Sequence, residues 1–129
     1  MADRPDAAAL LEEARRTLLE ALLPLLPPDR RYDGLMVANA MAIAAREAGQ
    51  GDTALREAVS RLSMLLQVPG TARSNPDLPV RLLELERRLV EEIRAGLHDP
   101  ASARRGAVRD YLRWSTVARL RISNPKALP

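Results

Sequence analysis

His98 is the only histidine in the 129 residues, and there is no cysteine. Thiolate nucleophiles, disulfides and cysteine-ligated zinc or iron–sulfur centres are therefore excluded. Neither a His-pair zinc motif nor the doubled Glu-x-x-His pattern of di-iron bundles can be assembled from one chain. No metal ligand set and no cofactor is expected. Leu97-His98-Asp99 follows Gly96, a residue that stops helices, so His98 reads as a solvent-facing turn histidine. The carboxylates recur as Glu12-Glu13, Glu84/Glu86 and Glu91-Glu92. Residues one or two apart on a helix point to different sides, so these read as solvated faces and not as converging acid/base pairs. Phosphate loops, dinucleotide fingerprints, nucleophile elbows and calcium loops are all missing. No catalytic residue is assigned, and the chemistry to expect is recognition.

Two constellations suit recognition. Asn39 stands in the otherwise apolar stretch LMVANAMAIAA, residues 35–45, with Arg46 seven residues on along the same face. Either the two line a polar cleft inside a helical bundle, or Asn39 satisfies backbone at a loop or helix end, because a buried amide without partners costs ~1–3 kcal/mol. In the second constellation, Arg105, Arg109 and Arg113 recur at i, i+4 and i+8 and share one helix face. A carboxylate, phosphate or acidic-protein contact and a merely solvated face are both open for this stripe. Nucleic acid is not the expected partner, since a reader of single strands also needs stacking aromatics and only Tyr111 and Trp114 are near. Trp114, between Arg113 and Ser115, falls at the edge of an apolar stripe. It is either core or a partly exposed interface anchor.

Holding these residues in place requires helices. Alanine, leucine, arginine and glutamate dominate, and Tyr32, Tyr111 and Trp114 are the only aromatics, so the fold class is all-α. The length suits a single helical domain spanning 1–129. Ten of the eleven residues in 35–45 are apolar and five are alanine. That stretch predicts a central helix over about 33–48, apolar on every side and jacketed by the others. Apolar spacing places a first helix from Pro5, ended by Pro24 or Pro27-Pro28, with Leu19 and Leu23 widening its stripe beyond what one neighbour covers. A third helix runs from an Asp52 cap through Leu66, and a fourth opens at Pro79 with Glu84–Arg88 as an i,i+4 pair. A fifth follows Asp99-Pro100 and stops at Asn124-Pro125. Residues 68–78 read as the longest loop, a lid or a plain linker. The expectation is therefore a bundle of about five helices.

Charge is unevenly distributed. Through Gln67 there are 8 basic and 10 acidic residues, and beyond it 12 and 7, so the first part carries −2 and the second +5. No run of eighteen apolar residues and no basic-then-apolar leader is present, which points to the cytoplasm and away from a membrane.

Three segments in order, RPDAAALLEEAR (4–15), VANAMAIAARE (37–47) and ARLRISNPKAL (118–128), resemble a family of small all-helical bacterial proteins classed as a domain of unknown function. Asn39, Arg46, Glu47, Asn124 and Pro125 match its recognisable positions, and the chain departs from it in the loop around Pro69–Pro79 and in its few aromatics. The resemblance implies genes encoded beside aminoglycoside-phosphotransferase-like proteins and acyl-CoA dehydrogenases, and so a partner of one of those kinds in acyl-CoA metabolism. It assigns no catalytic residues. The function to expect is a non-enzymatic accessory or protein-interaction module. The alternative is a small-ligand protein or enzyme holding an acyl-CoA or phosphorylated compound against Asn39, Arg46 and the arginine stripe.

Overall fold

A computed structural model describes residues 4–50, 52–68 and 77–129. Five α-helices account for most of them: α1 (Ala7–Thr17), α2 (Arg31–Gln50), α3 (Thr53–Leu66), α4 (Leu78–Arg94) and α5 (Arg105–Ser123). No strand occurs among the described residues, so the all-α fold class read from composition is the observed one. Most of the expected loop at 68–78 lies outside the described residues. The chain divides into two compact units, one formed by 1–51 with 120–129 and the other by 52–119.

In the first unit Asp6 caps α1, its carboxylate accepting from the Ala9 N–H at 2.8 Å. The helix then widens into a π-helical turn at Leu18–Leu22 and tightens into a 3-10 turn at Leu23–Leu25. Pro24 accounts for the break, since it has no N–H to continue the ladder. The chain reverses through Pro27-Pro28 and enters α2, so α1 and the turns after it pack along α2.

The burial of α2 corrects the expectation of a helix enclosed on every side. Its buried residues are Gly34, Ala38, Ala42 and Ala45, a stripe at i, i+4, i+8 and i+11. Leu35, Met36 and Val37 are each about half exposed. Alanine counts as apolar in a composition, but it is first of all a helix former, and its single methyl needs little burial. What the small residues provide is close approach. A Cβ at Gly34 would come within 2.8 Å of a Leu23 methyl and 2.9 Å of a Leu26 methyl.

In the second unit α3, α4 and α5 as far as Arg119 enclose a core of Val59, Leu62, Leu66, Leu78, Leu85, Leu89, Val108 and Tyr111; the last turn of α5 belongs to the first unit. Asp52 precedes α3 without a side-chain cap bond; its carboxylate instead faces Arg56 at 3.9 Å. α3 ends on Gln67 in the left-handed conformation, φ 56°, with Val68 N–H returning to the Ser63 carbonyl. Asp77 caps α4 through the Val80 N–H. Glu84 pairs with Arg81 and not with Arg88, which reaches Glu92 at 3.9 Å. α5 begins at Arg105, five residues beyond the expected Pro100, because 95–104 form a series of turns.

Gly34→Val is expected to destabilise the chain by about 1–3 kcal/mol, since two branches must displace both leucine methyls. Gly34→Ala should cost far less, because flexible leucine ends can yield and the helix gains about 1 kcal/mol in propensity. Urea denaturation midpoints of the two variants measure the difference.

Candidate functional site

The richest polar site lies in the second unit, where the chain turns back after α4. Gly96 adopts φ +81°, and Leu97 N–H returns to the Glu92 carbonyl at 3.1 Å while Gly96 N–H takes that of Ile93. This glycine-terminated helix end reverses the chain. The reversal carries His98 back over the helix it has left. Its side chain is only 2% exposed, and Nε2 lies 3.5 Å from Oε1 of Glu92, itself 14% exposed. His98 is thus buried and not solvent-facing, and Glu92 is no solvated residue. Arg104 supplies the balancing charge, with Nη1 at 3.4 Å from the same Oε1. Its Nη2 donates to the Leu65 carbonyl at 2.7 Å. Both imidazole nitrogens, Glu92 Oε2 and the Ser63 hydroxyl are buried without a hydrogen-bond partner among the described residues. Pairing with Arg104 offsets the desolvation of the Glu92 carboxylate.

Trp114 is half-buried against the core. The Arg61 guanidinium lies 4.5 Å from its ring centroid, and the Tyr111 ring is 6.1 Å away. Arg61 is held there by Glu57, which accepts from both Nε and Nη2. Beside this stack an open groove of about 470 Å³ is lined by Arg61, Met64 and Leu65 of α3 and Ala107, Asp110 and Tyr111 of α5. Met64 is 78% exposed. Burial pushes the Tyr111 phenol above its ordinary 10.0; Glu86 adds to the rise, while Ser115 and Arg119 oppose it. Ser115 is near enough to favour the ionised form, yet the phenol oxygen completes no hydrogen bond of good geometry.

The residues singled out from the sequence do not gather into one site. Arg105, Arg109 and Arg113 are exposed on α5. Arg109 lies about 160° around the helix from Tyr111, so the stripe faces away from the aromatic groove. In the first unit Asn39 is exposed, whereas Arg46 is partly buried and donates through Nε to the Ile122 carbonyl at 2.7 Å. That bond satisfies one of the carbonyls a helix end leaves open. The pair on α2 therefore does not converge on a shared partner. Glu92, His98 and Arg104 were missed as a group because their contact depends on the reversal at Gly96. A glycine four residues beyond Glu92 and two before His98 is the signal that could have found them.

Among the described residues no group of three or more histidine and carboxylate side chains is placed to hold a metal ion, and no helix is long and apolar enough to cross a membrane. The described residues thus form an all-helical chain whose second unit holds a charge-balanced buried cluster and an open groove. The chain belongs to the family described as a domain of unknown function, DUF6285, which matches residues 24–127. Of the three resembling segments 37–47 falls within that match, 118–128 does so up to Ala127, and 4–15 lies before it. No curated protein and no solved structure matches the chain.

Tyr111→Phe is expected to leave stability at neutral pH unchanged or slightly raised, since it removes a buried oxygen without a completed bond. A phenol whose folded value is raised contributes stability that is fully present below pH 10.0, the unfolded value, and lost as pH rises through the folded one. The wild type should therefore lose more stability than the variant across that alkaline window, as read from paired denaturation midpoints. Arg104→Met leaves the Leu65 carbonyl without its donor and Glu92 with Arg88 alone as counter-charge, and about 1–3 kcal/mol of destabilisation is expected.

Proposed function

We propose that this chain is a non-enzymatic accessory module that works by binding another protein. The carrying observation is apolar surface on the first unit. Leu10 of α1, Leu22 and Leu25 of the turns after it, and Tyr32, Leu35, Met36 and Val37 of α2 are all exposed, Leu25 at 80%. Exposed large apolar side chains occur on the second unit as well, Met64 and Leu97 among them, and where such side chains are contiguous they form surfaces that other proteins cover. The partner is a phosphotransferase-like protein or an acyl-CoA dehydrogenase encoded beside it, in the bacterial cytoplasm, as the family resemblance implies.

The test is a calorimetric titration of the chain with each of those two proteins from its own organism. One of them should bind, and Leu25→Glu combined with Met36→Glu should weaken that binding at least about tenfold, or ~1.4 kcal/mol. Thermal shift with coenzyme A thioesters and nucleotides separates the ligand-binding alternative. A true ligand at a hundred times its dissociation constant adds about 2.7 kcal/mol of stability. That gain, with neither protein binding, would replace the interaction reading.

A further inference from the structure

The first half of helix α5 carries a row of arginines. Arg105, Arg109 and Arg113 form a single exposed row, and none of them makes an ion pair among the described residues. Arg61, Arg81, Arg88, Arg104 and Arg119 of the same unit each have a carboxylate within 4 Å; Arg87 and Arg94 of α4 also lack an ion pair among the described residues but stand seven residues apart and form no continuous row. The difference has a cause in the sequence. Asp110 is the only carboxylate of α5; it lines the groove, and one carboxylate is too few for three arginines. The helix therefore cannot neutralise its own row.

We infer that this row docks an acidic amphipathic helix of a partner protein. Arginines four residues apart stand about 6 Å apart along the axis. Carboxylates at i, i+4 and i+8 of a facing helix repeat at that same interval, and each guanidinium fork can take one of them in a bidentate bond. Leu112 lies on the same face, nearly half exposed, with Thr116 one turn further on. An apolar contact set among cations suits a leucine or isoleucine flanked by glutamates. The aromatics that would stack unpaired bases, Tyr111 and Trp114, point away from the row, which argues against a single-stranded nucleic acid. The inference deepens the interaction reading above by naming the chemistry of a partner surface. A peptide probe tests it separately from any particular protein.

The probe is a labelled helical peptide carrying glutamates four residues apart on either side of a leucine, titrated by fluorescence anisotropy against the full chain. A single-stranded and a duplex oligonucleotide of similar charge run in parallel. Peptide binding should weaken as salt rises. Arg105→Gln with Arg109→Gln and Arg113→Gln should reduce it about ten- to hundredfold, with an unchanged circular dichroism spectrum because glutamine keeps helix propensity. Leu112→Gln should weaken the peptide several-fold and leave any oligonucleotide binding unaltered. The inference is overturned by a peptide that does not bind, by a triple variant that binds it as well as wild type, or by an oligonucleotide that binds more tightly and is lost in the same variant.

Discussion

One guanidinium holds the ends of three helices in the second unit. Arg104 stands just ahead of α5, donates to the Leu65 carbonyl near the end of α3 and faces Glu92 near the end of α4. Each contact answers a deficit. The carbonyls of a last helical turn have no partners within the helix, and a carboxylate as buried as Glu92 is costly without a counter-charge. The apolar core brings the helices together without direction. The Arg104 contacts fix where their ends meet, and the turns of 95–104 and the seat of His98 depend on that register. The Glu92 cluster carries few completed bonds for its burial, so its stability rests on charge balance more than on hydrogen bonding.

The first unit is joined differently. Its buried stripe is made of glycine and alanine, and close approach of α1 and the following turns takes the place of large interdigitating side chains. Dispersion at such contacts depends on proximity, so the unit is sensitive to added volume. Arg46 closes its other end by capping the last turn of α5. The leucines, methionine and valine that a denser core would have consumed remain on the surface, and there they support the reading as a binding module.

Much of the fold was legible in the sequence because helical spacing, proline and glycine act locally. The five helices, the stop at Gly96, and the break at Pro24 follow from those signals. Local patterns misled where partner geometry decides. The stretch 35–45 is apolar by composition but buried along one stripe only, because alanine reports helix formation as much as burial. His98 looked exposed, since nothing local shows a chain folding back on its own helix. Asn39 and Arg46 share a face, yet Arg46 meets a carbonyl from 76 residues away, a partner no periodicity points to. The shared exposed face of Arg105, Arg109 and Arg113 follows from the helical repeat alone.

The stacking of Arg61 on Trp114 gives the molecule a private spectroscopic channel. Trp114 is the only tryptophan of the chain and it belongs to the second unit, while the first unit has Tyr32 as its sole aromatic ring. Indole emission responds to the cation held 4.5 Å from its ring, so excitation at the red edge of tryptophan absorption observes α3 and α5 alone. Far-ultraviolet ellipticity sums the helices of both units. Heating followed by the two signals together distinguishes a chain that melts as one body from one whose halves let go at different temperatures.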